Sequence, residues 1–223
     1  MTDTSIPVDA LLFDLDGTLT DNFPGITRSI AYALERLGAP VPEPSALRPC
    51  VGPPLRRSFA WLLDTEEPVV IEQAIALYRE RFGDLGWREN IVYDGIEDAV
   101  AALAAGPARL FLCTAKPDVY ARRIVTLFGL SVHFAGIYGA DLAGTLDDKV
   151  VLLRHLVERE GIDPARAVMI GDRSHDIRAA RMNGARSVGV LWGYGTSEEL
   201  AGADALAHSP AELGDVLRTV GLR

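Results

Sequence analysis

Apolar and polar positions follow two rhythms along this chain, and the switch between them divides it. Near the start, Ala10 to Phe13 is a short continuous apolar run, the pattern of a strand buried on both faces. It predicts a strand that stops at Asp14. Helical spacing comes next. Ile26, Ile30, Ala33, Leu34 and Leu37 share one face, and Gly38 and Pro40 close that helix. The proline-rich stretch from Pro40 to Pro54 reads as loop with a short helix. Leu55, Phe59, Leu62 and Leu63 mark a second helical stripe, and Ile71, Ala74, Ile75, Tyr78 and Phe82 a third. No strand-like run interrupts this block between Thr20 and about Glu89.

From Asn90 onward, strand and helix signals alternate. Ile96, Val100 and Leu103 form a helix face, and Arg109 to Cys113 a strand ending at Thr114. A helix is predicted over Val119 to Phe128, a brief strand over Gly136 to Tyr138, and a helix over Asp148 to Glu160 that stops at Gly161. Ala167 to Ile170 and Ser187 to Leu191 read as strands around a helix from Asp176 to Met182, with a last helix over Ser209 to Leu217. Such alternation implies parallel βαβ units. The predicted fold class is therefore α/β, with a Rossmann-like parallel sheet core (residues 1–20 and 90–223) and an inserted all-helical cap (residues 21–89).

Composition narrows the function. The 223 residues carry a net charge of −9, so the long-range field repels nucleic acid and anionic membrane. An anionic substrate needs a local positive patch. Cys50 and Cys113 stand far apart in no metal-ligand spacing and read as free thiols of a reducing compartment. Met1 to Val8 lacks the apolar region of a signal peptide, and no apolar run is long enough for a bilayer. A cytoplasmic location is expected. Among the 22 basic residues, Lys116 and Lys149 alone are lysines, which suggests positions where a compact ammonium is wanted.

The candidate chemistry sits at predicted strand ends. The first strand delivers Asp14 and Asp16, one residue apart, with Gly17 to turn the backbone. Carboxylates that close repel unless a cation lies between them or one stays protonated. An acidic turn closing a strand is the alternative. The second strand delivers Thr114-Ala115-Lys116, read as a hydroxyl and amides at a helix start, suited to an anion. Lys149 opens a later helix, and Gly171-Asp172 with Asp176 follows another strand. Carboxylates, a hydroxyl and ammonium groups together suit a phosphate ester and a hard divalent cation such as Mg²⁺.

With these residues in place, the chain resembles the phosphatases of the haloacid dehalogenase superfamily. Asp14-Leu15-Asp16-Gly17-Thr18 is similar to that superfamily's first motif, Thr114 to its second, Lys149 to its third, and Gly171-Asp172 with Asp176 to its fourth. The resemblance implies that Asp14 attacks phosphorus and that Asp16 serves as general acid and base. It implies phosphate binding by Thr114 and Lys149. The expected helix start adds Ala115 and Lys116 as phosphate contacts, with a solvated surface charge as the alternative for Lys116. The resemblance further implies Mg²⁺ held by Asp14, the Asp16 carbonyl and Asp172, with Asp176 anchoring the set. An acid at position 16 points to phosphoryl transfer, since a halide leaving group needs no proton.

Cys50-Val51-Gly52-Pro53-Pro54-Leu55 resembles the cap of phosphoglycolate phosphatases. Thr114-Ala115-Lys116-Pro117 and Val190-Leu191-Trp192-Gly193-Tyr194-Gly195 look more like bacterial 5'-nucleotidases. The resemblance thus implies a small phosphorylated metabolite as partner. Gly52 and Arg56 in the cap are the residues expected to select it, and a monomer or a homodimer is expected. A sugar-phosphate phosphotransferase and a non-catalytic phospho-ligand sensor are the alternatives. His175 reads as a polar loop residue, Cys113 as strand-end packing, and Trp192 and Tyr194 as loop anchors or a border of the pocket mouth.

Overall fold

Strand β1, Ala10–Phe13, is wholly buried and lies at the centre of the sheet. In a computed structural model of the chain, which describes residues 7–141 and 146–222, β1 pairs in parallel with strands on both sides. The polar start of the chain, residues 1–6, lies outside the described residues. The chain forms two units, Met1–Asp21 with Val92–Arg223, and Asn22–Ile91.

The first unit holds β1, the short strands β2 (Thr20–Asp21) and β3 (Ile91–Val92, its first residue outside the unit), and the core proper. That core runs α1 (Ile96–Ala104), β4 (Arg109–Pro117), α2 (Asp118–Leu127), β5 (Gly136–Ala140), α3 (Lys149–Glu160), β6 (Ala167–Gly171), α4 (Ser174–Asn183), β7 (Arg186–Val190), β8 (Ala205–Ala207) and α5 (Leu213–Thr219). The six-stranded sheet has the order β5-β4-β1-β6-β7-β8, and its pairings are parallel. Strand order reverses at β1, the place where an open α/β sheet gathers ligands beyond its carboxyl ends.

Alternate strand residues explain the layering. Ala10, Leu12, Phe111, Cys113, Ala167 and Met169 pack in one buried cluster with Leu153, Leu156, Val157, Ala179 and Ala180, so α3 and α4 cover that face. Each large apolar side chain withdrawn from water there contributes about 1.5–3 kcal/mol. The α3 start is well defined: the Asp148 side chain accepts from the Val150 N–H, and Gly161 closes the helix in the left-handed region.

Two local outcomes differ from the sequence pattern. β4 runs on through Pro117, and α2 starts at Asp118. Thr114-Ala115-Lys116 is therefore extended rather than at a helix start. Pro117 disfavours helical backbone at Lys116, and a shift of register marks the stretch between Thr114 and Pro117. β8 is three residues long, too short for an apolar period to register.

The second unit is helical: α6 (Phe23–Arg36), α7 (Leu55–Leu63) and α8 (Pro68–Asp84), with 3₁₀ turns at Pro44–Cys50 and Gly86–Arg88. Its apolar stripes turn inward, and Ile30, Leu34, Phe59, Ile71, Tyr78 and Phe82 are buried. The Phe59 ring meets Tyr78 edge-on at 6.3 Å, and Tyr78 stacks on Phe82 at 5.4 Å. Arg81 donates to both oxygens of Glu89. Among the described residues, no helix is long and apolar enough to cross a membrane.

Candidate active site

Three strand ends and two helix starts build the site. β1 delivers Asp14, whose N–H donates to the Ile170 carbonyl at 2.9 Å. The Asp14 side chain is held twice. Its Oδ1 accepts from the Leu15 N–H at 2.7 Å, and its Oδ2 lies 2.7 Å from Lys149 Nζ. Lys149 also pairs with Asp176 Oδ1, so one ammonium at the start of α3 bridges carboxylates from β1 and α4. All three side chains are buried. Burial opposes the charge on Lys149, but Asp14 and Asp176 outweigh it and hold the ammonium above its usual range. Burial opposes the charge on Asp176 as well; Lys149 and His175 prevail and keep that carboxyl below the usual range.

Asp16 belongs to a second pair. Gly17, at φ +82°, lets the chain turn straight after it, and Lys116 Nζ stands 2.6 Å from Asp16 Oδ2. The β4 extension explains the reach, since it presents Lys116 inward and leaves Ala115 exposed. Thr114 is buried, and its Oγ1 accepts from the Lys116 N–H at 3.2 Å. That bond leaves the hydroxyl proton for another acceptor.

Asp172 follows β6 and is fully buried. Its Oδ1 accepts from Thr18 Oγ1 at 3.4 Å and its Oδ2 from the Tyr194 N–H at 2.8 Å. Burial, then the charges of Asp14 and Asp176, push the Asp172 carboxyl up to about 7. A Cβ at Gly17 would overlap Asp172, so the carboxylate is cradled against the backbone of the Asp14–Thr18 loop. Three carboxylates meeting near one ammonium, in a dry pocket, fit a divalent cation by their chemistry.

Asp14, His175 and Asp176 also bring one ligand-type atom each within 4.8 Å of one another. Lys149 brings one positive charge to those two carboxylates, which leaves one negative charge uncompensated between them. Asp176 Oδ2 accepts from the Arg173 N–H at 3.0 Å, and His175 Nδ1 lies 3.4 Å from Asp176 Oδ1. Burial pushes the Cys113 thiol up to about 12, in keeping with packing rather than nucleophilic chemistry.

Asp14, Asp16, Thr114, Lys116, Lys149, Asp172 and Asp176 thus converge within the first unit. Gly52 and Arg56 lie in the second. There Gly52 is exposed at φ +100°, and Arg56 pairs with Glu72. A cleft of about 400 Å³ in that unit is lined by Pro54, Arg56, Arg57, Ala60, Glu66, Pro68 and Ile71; it holds none of the Asp14 cluster and carries no catalytic assignment. Trp192 and Tyr194, read from the sequence as loop anchors or a border of the pocket mouth, bond to the segment after β1: Trp192 Nε1 donates to the Thr18 carbonyl at 2.9 Å and Tyr194 Oη to Asp21 Oδ1 at 2.6 Å. The signal available was the pair of glycines spaced around Tyr194, which permit close backbone approach.

Similar proteins share this arrangement of the chain. A 5'-nucleotidase of Pseudomonas aeruginosa is 42% identical over 210 residues, covering 94% of this chain and 92% of that protein. The tyrosine-protein kinase PtkA of Mycobacterium tuberculosis is 38% identical, over 93% of this chain and 70% of its own. The crystal structure of a predicted phosphatase from Clostridium acetobutylicum superposes with a TM-score of 0.89 at 38% identity, covering 96% of this chain and 100% of that one. The family model of haloacid dehalogenase-like hydrolases matches residues 11–190. The chain belongs to the haloacid dehalogenase-like hydrolase family, and it is a phosphatase of that kind.

Proposed function

We propose that the protein is a Mg²⁺-dependent hydrolase of a small phosphomonoester, with a 5'-nucleotide as first candidate and phosphoglycolate next. The observation that carries this reading is the pairing of both lysines of the chain with the two aspartates of the first motif, Lys149 with Asp14 and Lys116 with Asp16.

The Asp14 carboxylate attacks phosphorus. A phosphorus–oxygen bond to Asp14 forms as the bond to the leaving alcohol breaks, and the Asp16 carboxyl gives that alcohol its proton. Asp16 then takes a proton from water, whose oxygen attacks the aspartyl-phosphate and releases phosphate. Lys149 neutralises charge shared by Asp14 and the phosphoryl group, and the Thr114 hydroxyl donates to a phosphoryl oxygen. Asp14, the Asp16 carbonyl and Asp172 would hold Mg²⁺, with Asp176 behind them as the counter-ion of Lys149. Bound there, Mg²⁺ supplies positive charge against which two anions can approach. Substrate choice falls to the second unit, where Gly52 and Arg56 are the candidates for recognising the group beyond the phosphate.

A second reading has one supporting observation, the 38% identity to a protein named a tyrosine kinase. On that reading an acceptor hydroxyl takes the place of water. A screen of nucleotides, phosphoglycolate and sugar phosphates separates the two. Hydrolysis releases one phosphate per substrate consumed, whereas transfer consumes substrate and leaves the phosphoryl group on an acceptor.

A further inference from the structure

The segment after β7 touches both halves of the metal-binding set proposed above, although none of its side chains belongs to that set. β7 ends at Val190, and the Leu191 N–H still donates to the Ala207 carbonyl at 2.9 Å. The next residues leave the sheet and meet three partners. Trp192 Nε1 donates to the Thr18 carbonyl at 2.9 Å, the Tyr194 N–H to Asp172 Oδ2 at 2.8 Å, and Tyr194 Oη to Asp21 Oδ1 at 2.6 Å. Gly193 allows the approach, because a Cβ there would overlap the Gly17 carbonyl oxygen and the Asp172 side chain.

We infer that Trp192 and Tyr194 form a clasp that sets the affinity of the Asp14–Asp172 site for its divalent cation, by locking the Asp172 carboxylate in register with the loop after β1. The inference rests on the Mg²⁺ reading of that site. Mg²⁺ tolerates little departure from octahedral geometry, so its affinity depends on how firmly each ligand is held. Asp172 comes from β6, whereas the other proposed ligands come from the β1 loop, and each rides on its own strand end. The clasp joins them. The indole and the phenol grip the β1 loop at Thr18 and Asp21, and the amide between those grips orients Asp172. The phenol-to-carboxylate bond is a charge-assisted one, in surroundings where Tyr194 is only partly exposed. Tyr194 and Trp192 are on this account positioning residues that touch neither substrate nor metal.

Calorimetric titration of the metal-free full-length protein with Mg²⁺ tests this. Tyr194→Phe keeps the ring and removes the hydroxyl; Asp21→Ala removes its acceptor and serves if the first variant fails to fold. Outer-shell partners are worth about 10–100-fold in metal affinity, so each variant is expected to bind Mg²⁺ roughly 10-fold more weakly. The double variant should bind no more weakly than either single one, because both delete the same bond. Loss of packing alone would lower the metal-free Tm without changing the affinity of the folded protein. Wild-type Mg²⁺ affinity in folded Tyr194→Phe and Asp21→Ala overturns the clasp. Binding by the wild type that Asp172→Asn leaves unchanged overturns instead the Mg²⁺ reading of this site, and the clasp with it.

Discussion

Lys116 Nζ lies 2.6 Å from Asp16 Oδ2, with the lysine side chain 5% and the aspartate 22% exposed. In the arrangement described, the aspartate assigned to proton transfer is held by an ammonium that sequence reasoning assigned to phosphate. The two roles are compatible in sequence, since an arriving phosphoryl group offers Lys116 a second anion beside the first. Replacing Lys116 with Met removes the hold. General acid–base catalysis contributes about 10²–10⁴-fold, so Asp16→Asn should lose a factor of that order in kcat, and Lys116→Met a smaller part of it. Steady-state kinetics on both variants checks the ranking. Equal kcat in wild type and Lys116→Met would remove Lys116 from the mechanism.

Lys149 carries structural weight as well as charge. Asp14 and Asp176 converge on its ammonium in a pocket where all three are buried. Lys149→Met would strand two carboxylates, and breaking a buried pair in this way costs about 3–5 kcal/mol. Urea unfolding at neutral pH should show a loss of that order. Asp176→Asn should destabilise less, because Lys149 keeps Asp14. An unchanged unfolding midpoint for Lys149→Met would contradict the buried bridge.

Gly193 should not accept a side chain. A Cβ there would overlap backbone at Gly17 as well as the Asp172 side chain, so the clash cannot be relieved by a rotamer change. Forced overpacking costs about 1–3 kcal/mol, and Gly193→Ala should lose Mg²⁺ affinity along with that stability. Thermal unfolding with calorimetry measures both. A variant with wild-type values for the two would mean that the segment does not press on the site.

Stability of the helical unit should depend on pH through Glu89. Arg81 donates to both oxygens of that carboxylate and, against some burial, holds its carboxyl below the usual range with help from Arg28. A depressed carboxyl stabilises the fold above its unfolded pKa of about 4.3 and loses that contribution as pH falls through the folded value. Glu89→Gln should therefore be less stable than wild type near pH 7, by about 1 kcal/mol, and the gap should close as pH falls below about 4. Urea titrations across that range decide it. A gap that does not vary with pH rules out the ion pair as its source.

Much of this was legible before any coordinates. Ala10 to Phe13 and Ala167 to Ile170 announce buried strands because an uninterrupted apolar run has few other solutions in a short segment. The acidic pair at positions 14 and 16 announces chemistry because water or a cation must answer it. Lysine is scarce in the chain, and both lysines lie against first-motif aspartates. What stayed hidden was tertiary. Pro117 prolongs β4 and swings Lys116 onto Asp16 instead of a helix start, an effect of backbone sterics that helical pattern-matching does not weigh. The clasp at Trp192 and Tyr194 joins residues 174 and 173 positions apart, and no local period encodes that.

The most direct test of the whole account is phosphate release from p-nitrophenyl phosphate by wild type and Asp14→Asn, each with and without Mg²⁺. The account predicts release by the wild type that requires Mg²⁺, and background release by the variant in both conditions. A variant that releases phosphate at the wild-type rate would contradict it, because the carboxylate that forms the bond to phosphorus would then be dispensable.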